Sequence, residues 1–271
     1  MSRFTKTLRG LGSLLRNPWL LNTVLAADEA TWRAKALRHA SRWLVGAEGL
    51  PLVPLPGLLP PAGETIRPFA FRDGGSLPTD LALLRALVRQ APDTRYFEIG
   101  TWRGESAANV AEVASQVYTL NLSGAELRAL GLAERYIELH GFFSRPLPNV
   151  HHLEGNSATY DMAQLGTFGV VFIDGDHRYE AVRTDTQRVF AHLVGPETVV
   201  VWHDASRQPG QPRWEVLAGI LDGLPGTATG QLVQVGNTLC AVYFPTPRPS
   251  QQPDYWADPS PWFEVTVKAA T

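Results

Sequence analysis

The sequence predicts an α/β protein whose core is a mostly parallel β-sheet with helices on both faces. Strand-like and helix-like patterns alternate over residues 79–244 of the 271-residue chain, as in successive βαβ units. The run Phe168–Ile173 contains no polar residue, which is typical of a strand buried on both faces. Since ligands bind beyond the carboxyl ends of such strands, we expect the functional site in the loops that follow them.

Seven strands and the helices between them account for residues 79–244. The strands are predicted at residues 95–99, 117–122, 150–153, 168–173, 198–202, 231–234 and 238–244. The helices are predicted at residues 80–90, 106–115, 125–143, 179–193 and 215–224. The last two strands flank the pair Gly236-Asn237, a favoured hairpin turn, so we expect them to close the sheet as an antiparallel hairpin.

Two flanking regions lie outside this α/β domain. Residues 1–78 are predicted to form an N-terminal helical extension, with helices within 1–47, followed by a Pro/Gly-rich connector with little regular structure. Residues 245–271 are predicted to form a Pro-rich C-terminal tail, whose alternating segment 263–267 suggests an edge strand. The predicted organisation is therefore 1–78, 79–244 and 245–271.

The first 27 residues carry four basic side chains and no acidic one. Leucines between the basic residues make three interpretations available: a helical segment that caps the domain or forms a lid over its ligand site, a peripheral contact with an anionic membrane surface, or a contact in a homo-oligomer. A cleaved signal peptide is disfavoured, because the apolar run is interrupted by Asn17, Pro18 and Asn22. The helical cap is the preferred interpretation.

Composition excludes several classes of protein. The net charge of -2 argues against a nucleic-acid-binding protein, which usually carries a basic excess. The single cysteine, Cys240, excludes an intramolecular disulfide and a cysteine-based zinc site. Uncharged runs near the start are too short or too rich in proline for the roughly 20 residues of a membrane-spanning helix. We expect a cytoplasmic location.

The first strand is followed by a glycine-rich turn that begins with an acid, Glu98-Ile99-Gly100-Thr101-Trp102-Arg103-Gly104-Glu105-Ser106. Two glycines allow a sharp turn and a close approach to a ligand, and the amides of the next helix follow. The spacing is not G-x-G-x-x-G, so a nicotinamide dinucleotide is disfavoured. The acid before the first glycine suits a ligand that carries a cationic amino group.

Ionisable side chains follow two further strands. Asp174-Gly175-Asp176-His177 comes after the fourth strand and His203-Asp204 after the fifth. Both groups fall at the same sheet edge, so Asp174, His203 and Asp204 are candidate ligands of Mg²⁺ or a related divalent cation. In the alternative interpretation His203 closes the strand and Asp204 begins a turn.

These three motifs, in this order on successive strand ends, resemble the class I S-adenosylmethionine (SAM)-dependent methyltransferases. More narrowly, they resemble the branch of small-molecule and sugar O-methyltransferases and cephalosporin-hydroxylase-like proteins. The resemblance covers residues 79–244 and implies a Rossmann-like, doubly wound sheet with SAM as the cofactor. The implied acceptor is a small molecule or a sugar.

The resemblance also implies roles for individual residues. Asn121 would lie at the ribose of SAM, Asn156 and Ser157 at its adenine, and Asp174 near its methionine amino group. Asp176 and His177 are the candidate bases, and Asp174 is also assigned to catalysis as a metal ligand with His203 and Asp204. The implied cofactor-binding residues are Glu98, Gly100, Thr101, Trp102, Gly104, Ser106, Asn121, Asn156, Ser157 and Asp174.

Asn121 and Asn156 depart from the family pattern, in which acids are usual at these positions. An amide accepts a hydrogen bond without charge assistance, which costs on the order of 1 kcal/mol per site. The leading hypothesis is a SAM-dependent O-methyltransferase assisted by a divalent cation. The alternative, motivated by the two asparagines, is a protein that keeps the fold and binds SAM or a partner without catalysis.

Overall fold

The helices and strands of the computed structural model alternate along the chain, as predicted, over the residues that it describes: 12, 17, 29–72, 74–253 and 261–269. The α-helices are α1 (Glu29–Leu37), α2 (Ala40–Trp43), α3 (Pro78–Gln90), α4 (Glu105–Ala111), α5 (Gly124–Ala129), α6 (Glu134–Glu138), α7 (Tyr179–His192) and α8 (Trp214–Gly223). The strands are β1 (Leu52–Val53), β2 (Arg95–Ile99), β3 (Gln116–Asn121), β4 (Val150–Glu154), β5 (Phe168–Ile173), β6 (Val194–Trp202), β7 (Ser206–Gln208), β8 (Gln211–Pro212), β9 (Gln231–Val235) and β10 (Ala241–Phe244). Short 3-10 helices cover Leu55–Gly57 and Met162–Leu165.

One sheet holds most of these strands, in the order β1-β9-β10-β6-β5-β2-β3-β4. The five strands from β6 to β4 run parallel to one another, and β10 pairs antiparallel with both β6 and β9. The predicted Rossmann-like sheet with its closing hairpin is therefore confirmed. A separate two-stranded ribbon, β7–β8, follows β6.

The chain reverses its direction across the sheet between β2 and β5. From β2 it moves outward through β3 to β4, and it then returns to form β5 on the other side of β2. A parallel sheet opens a crevice at such a switch point, beyond the carboxyl ends of its strands. The loops after β2, β5 and β6 therefore meet at one edge of the sheet.

Side chains that alternate along the central strands build a core on each face. Phe97 and Ile99 of β2 point into one core, together with apolar residues of α7 and α8. Tyr96 of the same strand points into the other core, against α3 and α4. Burial on both faces explains why the central strands are so uniformly apolar.

Part of the N-terminal extension packs on α7 and α8. The ring of Trp32 stacks on Tyr179, with centroids 4.9 Å apart. His39 Nε2 lies 2.7 Å from Asp222 Oδ1, and the Tyr179 hydroxyl donates to Asp222 Oδ2 at 2.6 Å. The three interpretations of residues 1–27 concern a segment of which only residues 12 and 17 are described.

Three predictions about the elements are wrong. The sheet has eight strands rather than seven, because Leu52 and Val53 of the connector form β1 and pair with β9. The helix predicted over 125–143 is instead α5 and α6, since Gly131 between them has φ +82°, outside the helical region. Segment 263–267 of the tail forms no strand, and Val265 and Val267 are exposed.

Among the described residues, no helix has both the length and the apolar character needed to cross a bilayer.

Candidate functional site

A cavity of about 730 Å³ opens at the switch point of the sheet. Its walls come from the loop after β2 (residues 100–106), the loop after β5 (Asp174, Gly175 and His177), and His203 and Asp204 after β6. Residues 74–76 of the connector, Tyr136 of α6, Arg213 and Leu239 complete the lining. The volume lies in the usual range for a small-molecule site.

The glycine-rich turn after β2 is fixed by close packing against the protein. A Cβ atom on Gly100 would lie 2.1 Å from the carbonyl oxygen of Asp174, and one on Gly104 would lie 2.1 Å from Ser144 Oγ. Both glycines also have positive φ, +95° and +76°, a region that costs other residues free energy. The glycines therefore bring the turn against the loop after β5 and against the segment that follows α6.

Two cavity-lining residues other than glycine hold a left-handed backbone. Trp102 has φ 40° and Asp204 has φ 54°, a conformation that costs of order 1–3 kcal/mol outside glycine. The Trp102 ring stacks on Tyr136, with centroids 4.3 Å apart, and its carbonyl accepts from Gly141 N at 2.6 Å. These contacts hold the turn in its strained shape.

Glu98 lies beneath the glycine-rich turn and has no exposed surface. The Tyr96 hydroxyl donates to its Oε2 at 2.9 Å, whereas Oε1 has no hydrogen-bond partner among the described residues. Burial raises the pKa of Glu98 from 4.5 to about 7; the nearby Ser106 and Thr119 hydroxyls and Tyr96 offset only part of this rise. A buried carboxylate oxygen without a partner is costly, and it fits a ligand with a cationic amino group, such as SAM.

His203, which follows β6, links three carboxylates at the cavity. Its Nδ1 lies 3.0 Å from Asp174 Oδ1 and 3.4 Å from Asp204 Oδ2. Its Nε2 lies 3.0 Å from Oδ2 of Asp80, which is completely buried in the first turn of α3. Asp174 follows β5, His203 and Asp204 follow β6, and Asp80 lies in the first turn of α3, so regular elements of the backbone fix the positions of all four residues.

Charge balance explains the ionisation of this cluster. Burial alone would lower the pKa of His203, but the charge of Asp174 and hydrogen bonds to Asp174, Asp204 and Asp80 raise it well above its ordinary value. Burial would likewise raise the pKa of Asp204, but hydrogen bonding to His203 and the charges of His203, His177 and Arg213 lower it. Without a metal, an imidazolium at His203 neutralises part of the carboxylate charge.

The same cluster fits a divalent cation. Asp174, His203 and Asp204 each offer one ligand atom, and these atoms all lie within 4.8 Å of one another. Two carboxylate oxygens and an imidazole nitrogen are a donor set that suits Mg²⁺ or Mn²⁺. A cation bound there would take the place of the proton on His203 Nδ1.

The two candidate bases lie in different environments. His177 lines the cavity, and its Nδ1 lies 3.1 Å from Asp204 Oδ2. Asp176 does not line the cavity; its carboxylate forms an ion pair with Arg178 at the surface and accepts from Arg178 N at 2.9 Å. The structure therefore brings His177 to the candidate metal ligands, whereas Asp176 pairs with Arg178 outside the cavity lining.

The residues assigned to the nucleoside part of SAM lie outside the lining of this cavity. Asn121, at the end of β3, donates from its amide to the Leu122 carbonyl at 3.0 Å. Asn156 is exposed, and its side chain accepts from Ala158 N at 2.9 Å. Ser157 hydrogen-bonds to Asp185 of α7, whose pKa burial raises to about 6. Both asparagine side chains thus hydrogen-bond to their own turns.

Sequence reasoning missed several residues of the site. Asp80, Tyr136, Arg213 and the connector residues 74–76 contact the cavity or its ligands but belong to no motif. The sequence offers one local indication for Asp80, its position as an acid in the first turn of a helix. This position predicts an interaction with the helix N-terminus and not with His203.

A comparison with known protein families finds a match over the same part of the chain. Residues 97–205 match a family model described as a methyltransferase domain. The match contains the glycine-rich turn, the Asp174–His177 motif and the His203-Asp204 pair, so the resemblance to class I SAM-dependent methyltransferases is confirmed over this part of the chain. No curated protein matches the sequence.

Several solved structures are similar to parts of this chain. An SAH-bound methyltransferase from Podospora anserina is 17% identical, and the match covers 65% of this chain and 82% of that chain with a TM-score of 0.48. An O-methyltransferase from Bacillus cereus in complex with SAH is 18% identical over 80% of this chain and 99% of that chain, with a TM-score of 0.43. A TDP-rhamnose 3'-O-methyltransferase of calicheamicin biosynthesis is 16% identical over 61% of this chain and 78% of that chain, with a TM-score of 0.43.

Proposed function

We propose that the protein transfers the methyl group of SAM to a hydroxyl oxygen of a small-molecule or sugar acceptor, with a divalent cation held by Asp174, His203 and Asp204. One observation carries the proposal: a single cavity joins the glycine-rich turn to these three candidate ligands. Methyl transfer needs donor and acceptor in line and in contact, and one shared cavity supports that arrangement.

The cofactor side of the cavity is assigned to the glycine-rich turn and Glu98. SAM supplies an electrophilic methyl group on a sulfonium. The partnerless Oε1 of Glu98 offers an acceptor for its amino group, and Thr101 and Ser106 offer hydroxyls in the lining. Placing a cation near Glu98 would stabilise its ionised form, which burial now disfavours.

The acceptor side is assigned to the metal ligands. A bound divalent cation polarises a hydroxyl and makes it easier to deprotonate. Asp174 and Asp204 supply the negative charge that would hold such a cation, and His203 supplies a neutral nitrogen ligand. Arg213, whose Nη1 lies 3.8 Å from Asp204 Oδ1, lowers the negative charge of this wall.

His177 is the proposed general base. Its Nδ1 is placed to donate to Asp204 Oδ2 at 3.1 Å, which leaves Nε2 to accept a proton. The acceptor hydroxyl gives its proton to Nε2 as its oxygen bonds to the methyl carbon, and the electron pair of the broken carbon–sulfur bond stays on sulfur. An imidazole can accept a proton at neutral pH, which suits this role.

The test is transfer of a radiolabelled methyl group from SAM to a panel of catechols, hydroxylated aromatic acids and nucleotide sugars, with magnesium or with EDTA. We expect labelled product from at least one member and a lower rate in EDTA. Stoichiometric SAM binding without product from any member would favour the alternative, a non-catalytic SAM-binding protein. The local hydrogen bonds of Asn121 and Asn156 motivate that alternative.

A further inference from the structure

We propose that Asp80 is a positioning residue of the candidate metal centre, which holds His203 in the tautomer and orientation that present Nδ1 to Asp174 and Asp204. This inference rests on the metal site of the proposed function. It extends that site to a residue outside the segment 97–205 that matches the methyltransferase domain.

The carboxylate of Asp80 is surrounded by hydrogen-bond donors. Its Oδ2 accepts from Leu77 N at 2.7 Å and lies 3.0 Å from His203 Nε2. Its Oδ1 accepts from Leu239 N at 2.8 Å and lies 3.7 Å from Cys240 Sγ. The side chain has no exposed surface. Both oxygens are therefore committed within the protein, and neither is directed at a ligand in the cavity.

These contacts determine which nitrogen of His203 carries a proton. Backbone N–H groups can only donate, so each Asp80 oxygen is already an acceptor, and His203 Nε2 must donate to it. A neutral imidazole with a proton on Nε2 keeps its lone pair on Nδ1. That atom lies 3.0 Å from Asp174 Oδ1 and 3.4 Å from Asp204 Oδ2, where the cation is proposed to bind. A carboxylate behind a histidine ligand orients the ring and raises its basicity.

The arrangement joins three distant parts of the chain. Asp80 begins α3, Leu239 lies in the hairpin between β9 and β10, and His203 follows β6. Each part is held by its own element, so the ring of His203 cannot turn without breaking a buried hydrogen bond. This rigidity suits a ligand that must meet a cation in one geometry.

The test is the affinity of the full-length protein for Mn²⁺, measured by calorimetric titration for the wild type and for Asp80→Asn. In the variant the NH₂ group must face a backbone donor, either Leu77 N or Leu239 N, and an amide oxygen accepts from His203 Nε2 without the charge of a carboxylate, so the imidazole ring is held less firmly and its Nδ1 is a weaker ligand. We expect Mn²⁺ binding to weaken about 10- to 100-fold.

A double-mutant cycle separates positioning from a structural role. If Asp80 acts through His203, Asp80→Asn causes no further loss of Mn²⁺ affinity in a His203→Ala background, whereas a general effect on folding persists there. Glu126→Gln is the matched control. Glu126 accepts from Ser123 N at 2.8 Å at the start of α5, as Asp80 does from Leu77 N, but it is not a partner of His203. The Glu126→Gln substitution should leave the affinity for Mn²⁺ unchanged.

Each outcome has a defined meaning. Equal Mn²⁺ affinity of the wild type and Asp80→Asn would overturn the inference and leave the proposed function intact. No Mn²⁺ binding by the wild type would overturn both the inference and the metal part of the proposal, while SAM binding, titrated separately, would still test the rest.

A measurement on the wild type covers the case in which Asp80→Asn does not fold. Nitrogen-15 NMR of His203 in the Mg²⁺-loaded protein distinguishes the two tautomers. A proton on Nε2 supports the inference, and a proton on Nδ1 contradicts it.

Discussion

Two completely buried carboxylates lie behind the cavity lining, Asp80 in contact with His203 and Glu98 at the end of β2 before the glycine-rich turn, and they differ in how their oxygens are satisfied. Asp80 accepts hydrogen bonds on both oxygens, from two backbone amides and from His203. Glu98 accepts one from Tyr96, and its Oε1 has no partner among the described residues. The first acid is already committed to the protein, whereas the second retains bonding capacity for a ligand.

Under the proposed function, this difference separates the acceptor side of the cavity from its cofactor side. On the side of Asp80, buried hydrogen bonds fix the candidate metal ligands before any ligand arrives. On the side of Glu98, burial without a partner raises the pKa of the carboxyl, which is a cost to stability that a cationic ligand would remove. A preorganised acceptor side thus faces a cofactor side that SAM itself would complete.

The largest expected effect is on the acceptor side. Asp174→Ala removes a candidate metal ligand and the strongest partner of His203 Nδ1, so we expect methyl transfer to fall by more than about 1000-fold. The fold should survive, because the backbone amide of Asp174, which donates to Ile99 at 2.9 Å, is unaffected. Radiolabelled methyl transfer measures the loss, and circular dichroism checks the fold. Full activity of the variant would end the assignment of Asp174.

The candidate base predicts the next largest effect. His177→Ala should lower the turnover rate about 100- to 10,000-fold, with SAM affinity unchanged and with a much smaller change in Mn²⁺ affinity, because His177 is not a candidate ligand of the cation and contacts the metal site only through Asp204. Asp176→Ala, at the neighbouring position, removes only the surface pair with Arg178 and should retain activity. The reverse pattern in the same kinetic assay would transfer the role of base to Asp176.

Glu98→Gln should have opposite effects on cofactor binding and on stability. Loss of a charged hydrogen bond to the amino group should weaken SAM binding roughly 10- to 100-fold by calorimetry. Because the pKa of Glu98 rises from 4.5 unfolded to about 7 folded, the wild type should lose stability relative to the variant as pH rises from about 4.5 through about 7. A rise of the pKa from 4.5 to about 7 corresponds to about 3 kcal/mol in the free energy of unfolding. Chemical denaturation of both proteins at pH 4.5 and pH 8 measures this difference.

Glu64 provides the matched control for this prediction. Its side chain is 2% exposed, like that of a core residue, but it is paired with Arg85 at 2.8 Å and Arg89 at 2.9 Å. Glu64→Gln breaks these pairs, so it should destabilise the protein at pH 8 without changing SAM affinity. If Glu98→Gln also destabilised the protein at pH 8, the interpretation of Glu98 as an unpaired acid would be wrong.

Asn121→Asp should produce the smallest effect, a gain. A carboxylate at the ribose position would replace a neutral hydrogen bond by a charged one, worth about 1 kcal/mol or roughly fivefold in SAM affinity. Asn156→Asp, in which an oxygen can still accept from Ala158 N, tests the adenine position in the same titration. Unchanged or weaker binding by both variants would show that these positions do not contact the nucleoside.

Local patterns in the sequence were sufficient for the parallel sheet. Buried strands such as Phe168–Ile173 are apolar throughout, and a parallel sheet brings the loops that follow them to one edge. This reasoning placed Asp174, His203 and Asp204 together before the distances between them were known. The same reasoning did not predict the strand β1, because two residues in a proline-rich connector form no periodic pattern.

Contacts between distant residues could not be predicted in this way. Asp80 and His203 are 123 positions apart, and an acid in the first turn of a helix already has a local explanation in the helix dipole. Asp176 forms an ion pair with Arg178 at the surface. The motif alone does not show whether the Asp176 side chain makes this pair or points into the cavity. The predicted residue types were informative, but the directions of their side chains required the fold.

The most direct test of the central claim is calorimetric titration of SAM into the purified full-length protein, first with magnesium and then with EDTA. We predict saturable binding at one site per chain in both conditions, because Glu98 and the glycine-rich turn do not include the candidate metal ligands Asp174, His203 and Asp204. Absence of binding in both conditions would contradict the cofactor assignment and, with it, the proposal that the protein is a methyltransferase enzyme.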